Sequence, residues 1–275
     1  MTGGAGRSPW EHNSTQWKRI GYPLRPSPQD VYFAQSEVER ISRTCTHVNA
    51  LLLGVTAELS SLAWPRNCSL TAIDASRPMI ARCWRPPVGI ESSVIEGSWY
   101  QLPLSPNSID LVLGDGSLSS LPDARSVSTV LRELARLLDH DGHVLTRVFV
   151  RPENAETPGH VINALRSGTI GSFQAFKCRM IMAMHSANSE GVLLTDVYDA
   201  VCNAIPDRAA LADTLGWTLE SIDTIDAYRN TTWRYFFPRP SELRELAAAD
   251  FLELQCLVPG YELGRQCPTF VLRRK

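Results

Sequence analysis

The sequence predicts an α/β fold, a doubly wound sheet covered by helices on both faces. Three observations carry that prediction. Between His47 and Val150, short β-rich runs alternate with short helical ones. Strands separated by helices must pair in parallel by crossover, which buries the sheet on both sides. Near the end, "FLELQCLVPG" and "PTFVLRR" follow one another with no helix between, which makes them antiparallel neighbours. With 275 residues and 44% apolar content the chain can fill one large α/β domain or two small ones.

Each element has its own signature. The Gly- and Ser-rich start predicts no order before Trp10 or Trp17. In "RPSPQDVYFAQSEVERISR", Ser27 suits a helix cap, Pro28 the first turn, and Asp30 the positive helix end. Val31, Ala34, Val38 and Ile41 then line one face at helical spacing. "HVNALLLGV" reads as a buried strand, "AELSSLAW" as a helix, "SLTAID" as a strand, "RPMIARCW" as a helix and "SSVIEG" as a short strand. "SIDLVLGDG" is a strand ending in a Gly-Asp-Gly turn, followed by the helix "DARSVSTVLRELARLLDHDG" and the strand "HVLTRVFV". From about His160 to Tyr235 the spacing is helical with no convincing strand. That is too long for an ordinary sheet connection and predicts an inserted helical cap. Phe173, Phe176, Met180 and Met184 form a stripe expected in the cap core, and some of Tyr198, Tyr228, Trp233, Tyr235 and Phe236 are expected to line a site. Ser241 opens a last helix, "SELRELAAAD".

Composition narrows the function. A formal net charge of -2 gives no field that would gather nucleic acid or an anionic membrane. No apolar run approaches a membrane span, and the start lacks the apolar core of a signal peptide. The seven cysteines form no CxxC pair and read as reduced thiols, which predicts a cytoplasmic protein. No His, Cys, Asp and Glu grouping has metal spacing, and neither a GxSxG nor a P-loop occurs. The expected partner is a small-molecule substrate, with neither nucleic acid nor membrane; a homodimer is compatible with the sequence.

The stretch "ALLLGVTAELSSLAW" runs an apolar strand into Gly54 and then a helix, and Asp74 ends "TAID" twenty residues later, the separation a strand-loop-helix-strand unit requires. With "EGSWYQLPL", "SIDLVLGDGSLSSLP", "LRELARLLDHDGHVLTRVF" and the closing hairpin, the chain resembles the class I S-adenosylmethionine-dependent methyltransferases. The resemblance implies a Rossmann-like seven-stranded sheet of order 3-2-1-4-5-7-6, with S-adenosyl-L-methionine across the strand ends. It divides the chain into an N-terminal lid and helix (1–46), a cofactor-binding core (47–153 and 239–275) and the cap (154–238). Gly54 takes the place of the first loop glycine, and Asp74 that of the carboxylate receiving the ribose hydroxyls, unless it merely caps the next helix. Met79 falls where an apolar residue packs on adenine, and Ser98 where the adenine amino group is held. Trp99 covers the ring or plugs the sheet edge. Asp115, Gly116 and Ser117 would face methyl donor and acceptor, or Asp115 only shapes its turn.

The loop departs from the family pattern. Leu52 replaces its acid, and Thr56 and Glu58 replace its second and third glycines, so the loop must take another conformation if it binds. Glu58, at the mouth of a helix, is placed to receive a ligand ammonium instead. Arg25 either clamps the cofactor carboxylate or makes a surface salt bridge, and Trp17 is a lid candidate. The function implied is methylation of a small molecule at oxygen or nitrogen, with Asp115 or a cap tyrosine, Tyr235, as orienting or basic group. The missing glycines also admit a catalytically inactive methyltransferase-fold scaffold, and the strand-loop-acid spacing is shared with nicotinamide dehydrogenases.

Overall fold

The computed structural model describes residues 8–185 and 190–275. Expectations for residues 1–7, and the last residues of "SFQAFKCRMIMAMHSAN", lie outside them. Among the described residues there are nine strands: β1 Val48–Leu53, β2 Cys68–Asp74, β3 Glu91–Glu96, β4 Ile109–Asp115, β5 Leu138–Arg147, β6 Val192–Leu193, β7 Arg234–Tyr235, β8 Phe251–Leu257 and β9 Thr269–Arg274. Seven of them form one sheet of order β3-β2-β1-β4-β5-β9-β8. Counted within that sheet this is 3-2-1-4-5-7-6, parallel except where β9 runs antiparallel to both β5 and β8. The topological switch lies between β1 and β4, where the strand order reverses and a crevice opens at the carboxyl ends.

Alternation along the central strands sends successive side chains to opposite faces. Leu51 and Leu53 join one buried cluster with Ile73, Val112 and Leu131, while Ala50 and Leu52 join another with Leu70, Leu113 and Val38. The second cluster seats the helix Pro28–Ser42, whose Ser27 Oγ accepts from the Asp30 amide (3.2 Å) while Asp30 Oδ2 accepts from the Ser27 amide (2.8 Å). A third cluster belongs to the cap: Phe173, Phe176 and Met180 pack there with Val161, Leu194, Val197 and Ile225.

Three features differ from expectation. A helix, Pro9–Gln16, precedes Trp17; Ser8 caps it and Pro9 opens it, the same Ser-Pro signature that starts Pro28–Ser42. The helix Ala124–Leu137 stops before "DHDG", because β5 already pairs at Leu138 with Ile109, and the Asn107 and Ser108 amides take the carbonyls of Arg136 and Leu137. The cap contains the antiparallel two-residue pair β6–β7, Val192 opposite Tyr235, too short to leave a period in the sequence.

Candidate active site

Gly54 ends β1 with φ +94°, a conformation that suits glycine, and its amide donates to Ile73 O at 2.8 Å. A Cβ built on it would lie 3.7 Å from Asp74 Oδ2 and 3.8 Å from Trp99 Cζ2, so loop, carboxylate and indole face one another. Trp99 is fixed by its Nε1, which donates to Ile73 O at 2.8 Å. Asp74 Oδ1 accepts from the Ser76 amide at 2.7 Å. Burial lifts the Asp74 pKa to about 6, against the pull of that amide. No cation pairs with Asp74 among the described residues.

These groups wall one end of a cavity of about 690 Å³, within the range of small-molecule sites. Thr56, Met79, Ser98, Asp115 and Gly116 lie on the same wall, as does Trp17 from the N-terminal segment. Thr56 sits at φ −58°, so its Cβ costs the loop nothing; Gly54 alone takes the positive angle. Ser98 Oγ accepts from the Tyr100 amide at 3.3 Å, and the Trp17 indole Nε1 has no partner among the described residues. Gly116, at φ +63°, brings the backbone against Phe149, whose Cε2 would meet an added Cβ at 2.8 Å.

Arg25 and Glu58 stand apart from the wall and bind each other. Arg25 Nε donates to Glu58 Oε1 at 2.8 Å, its Nη2 reaches the same oxygen, and its Nη1 donates to Trp17 O at 2.9 Å. Of the two readings of Arg25, the structure has the salt bridge, formed with Glu58 as a buckle. It ties the Trp17–Arg25 segment to the first turn after β1.

Asp115 is also committed. Arg147, its register partner on β5, donates Nε to Asp115 Oδ1 at 2.5 Å, and Nη1 to Pro23 O at 2.6 Å and Tyr261 Oη at 3.2 Å. Asp30 Oδ2 lies 3.9 Å from the same Nη1. Burial pushes the Asp115 carboxyl upward and Arg147 pulls it back. Burial also opposes the Arg147 charge, but Asp115 more than offsets it, so the guanidinium stays charged. A carboxylate held this way braces the crevice rather than serving as a free base.

The other end of the cavity belongs to the cap. Tyr228, Trp233, Tyr235 and Phe237 line it; Tyr198 and Phe236 do not. The rings of Tyr228 and Tyr235 meet edge-on at 6.1 Å, and Tyr235 stacks on Phe237 at 6.3 Å. Burial raises the Tyr235 pKa above the ordinary phenol value, so it presents a neutral hydroxyl and not a base. Lys177, on the helix Phe173–Met184, also reaches this end although only 2% of it is exposed. Sequence reasoning missed it, because it sits inside the "FQAFKCRMIMAM" stripe and reads as that helix's polar side. The helix Pro9–Gln16 bridges both ends. Arg82 Nη1 donates to Ser14 Oγ at 3.2 Å, Gln16 Nε2 donates to Thr224 O at 3.2 Å, and Trp10 packs 6.2 Å from Tyr235.

Residues 51–146 match the family model described as a methyltransferase domain. The matched segment runs from β1 into β5. Solved structures share the fold at low identity. A SAM-dependent methyltransferase from Methanosarcina mazei is 14% identical, with 91% of this chain and 99% of that one aligned at a TM-score of 0.50. A chain of the Haloferax volcanii complex of the Trm112 methyltransferase activator is 11% identical (98% and 99%, TM-score 0.51). A Rhodobacter sphaeroides protein provisionally described as a zinc-dependent alcohol dehydrogenase is 13% identical (98% and 100%, TM-score 0.54). No curated protein matches the sequence significantly.

The matched methyltransferase domain and the similar structures imply S-adenosyl-L-methionine as cofactor, and the strand-end wall has the chemistry to receive it. Asp74 offers a carboxylate without a cation, suited to two adjacent hydroxyls. Met79 and the fixed Trp99 indole offer apolar surface for a base, and Gly54 lets the backbone approach closely.

Proposed function

We propose that this chain transfers the methyl group of S-adenosyl-L-methionine to oxygen or nitrogen of a small-molecule acceptor held beneath a helical cap, residues 154–238. The reading rests on one observation: a single cavity runs from Gly54, Asp74 and Trp99 at the strand ends to Lys177, Tyr228 and Tyr235 in the cap. Methyl transfer is an in-line displacement at carbon, so the protein contributes chiefly by holding donor and acceptor in line and by excluding water. In this reading Gly54, Thr56, Asp74, Met79, Ser98, Trp99 and Gly116 hold the cofactor. Trp17 closes over it, anchored by the Arg25–Glu58 pair. Asp115 keeps Arg147 and the β4–β5 ends in place, and Tyr235 orients the acceptor through its hydroxyl. The reduced cysteines support a cytoplasmic setting, and no helix among the described residues is long and apolar enough to cross a membrane.

Incubation with S-adenosylmethionine carrying an isotopically labelled methyl group, together with a fractionated extract of small molecules, tests the reading. A labelled product detected by mass spectrometry is the expected outcome. An inactive scaffold is favoured by one observation, the mutual neutralisation of Arg25 and Glu58, which leaves the cofactor's amino acid end without a charged partner from either. That alternative predicts no thermal shift with S-adenosylhomocysteine.

A further inference from the structure

The cap end of the cavity contains a cation without an anion. Lys177 Nζ donates to Thr224 Oγ1 at 3.1 Å and lies over the rings of Tyr228 (5.1 Å) and Phe173 (5.9 Å). Thr224 Oγ1 already accepts from Gln174 Nε2 at 3.1 Å and donates to Ser221 O at 2.7 Å, so this hydroxyl is shared. An ammonium has three donors, and among the described residues no carboxylate pairs with this one. Arg77, another cation on the cavity wall, is engaged by Glu96. A buried charge without a counter-ion is costly, and groups perturbed in this way cluster at functional sites.

Resting on the methyltransferase reading, we propose that Lys177 is the counter-ion for an acidic acceptor, an aromatic molecule bearing an anionic oxygen. The aromatic wall fixes the body of the ligand and Lys177 the charge. An amine acceptor would bring a second cation beside the first, so the site selects acids over amines. Burial holds the Lys177 pKa down at about 7. The titratable groups around it, Cys178 on its own helix, Tyr228, and Tyr235 on β7, are all raised by their surroundings and stay neutral there. Binding of an acid above pH 7 must therefore draw a proton onto Lys177.

The test is calorimetry on the full chain with benzoate, 4-nitrophenolate, benzyl alcohol and benzylamine, each with and without S-adenosylhomocysteine. At least one acid should bind tenfold or more tighter than benzyl alcohol, and benzylamine weaker than either. Benzoate and 4-nitrophenolate then distinguish a carboxylate from a phenolate site. Acid affinity should fall about tenfold per pH unit above 7. Lys177→Met should erase the preference and its pH dependence while leaving S-adenosylhomocysteine affinity unchanged, and Lys177→Arg should keep the preference but lose the pH dependence. Acids that bind no better than benzyl alcohol, or equally well to Lys177→Met, would overturn the proposal. If S-adenosylhomocysteine fails to bind, the methyltransferase reading suffers, while acid selectivity measured without it still judges Lys177.

Discussion

The two ends of the cavity hold opposite unpaired charges. At the strand ends Asp74 is a carboxylate with only a backbone donor, lifted to about pH 6 by burial. Under the cap Lys177 is an ammonium with a shared hydroxyl and two aromatic faces but no carboxylate, its pKa lowered to about 7 by the same cause. Nearby charges that brace the structure are paired: Asp115 with Arg147 and Arg25 with Glu58. The contrast separates architecture from function. A paired buried charge holds the crevice open, and an unpaired one lowers stability until a ligand completes it.

Breaking a paired charge should cost most. Arg147→Met leaves Asp115 buried alone, and urea titration should show a loss of about 3–5 kcal/mol. Removing an unpaired charge should do the opposite. Lys177 has a folded pKa of about 7 against 10.5 for the free side chain, so its cost is complete below pH 7 and vanishes above the free value. Lys177→Met should accordingly raise the stability of the ligand-free protein at pH 7 by about 2–4 kcal/mol. A gain that persists at pH 11 would contradict this account.

Asp74→Asn carries the same logic with a smaller effect. Its folded pKa, raised from 3.8 to about 6, makes stability fall as pH rises through that window. The substitution should therefore stabilise the ligand-free protein by about 1–2 kcal/mol at pH 7 and by nothing near pH 3. The smallest effect belongs to the partly exposed buckle. Arg25→Ala should cost about 1 kcal/mol at most, and hydrogen exchange should report faster opening across residues 17–25 with the core strands unchanged.

The strand-end half was legible because its geometry is local and periodic. Gly54 and Asp74 lie one strand-loop-helix-strand unit apart, and parallel pairing of β1 with β2 puts both at carboxyl ends whatever the rest of the chain does. The helix Pro28–Ser42 was legible from its capping residues. The helix Pro9–Gln16 carries the same Ser-Pro signal, which the surrounding Gly- and Ser-rich start obscured. What stayed hidden depends on long-range partners. Nothing in "GYPLRPSPQD" says that Arg25 meets Glu58, thirty-three residues on, and nothing in "HVLTRVFV" says that Arg147 would occupy Asp115. Lys177 was hidden for a different reason: a lone lysine among apolar residues usually marks the solvent side of a helix, and here the solvent side is covered by Thr224 and Tyr228.

The central claim is that one cavity has two functionally distinct ends, with the cofactor at the strand ends. Calorimetric titration of S-adenosylhomocysteine into the wild-type protein, Asp74→Asn and Lys177→Met tests it most directly. The account predicts binding to the wild type, at least tenfold weaker binding to Asp74→Asn through loss of charge-assisted hydrogen bonds, and wild-type affinity for Lys177→Met. Equal affinity in the wild type and Asp74→Asn, or no binding to the wild type, would contradict it.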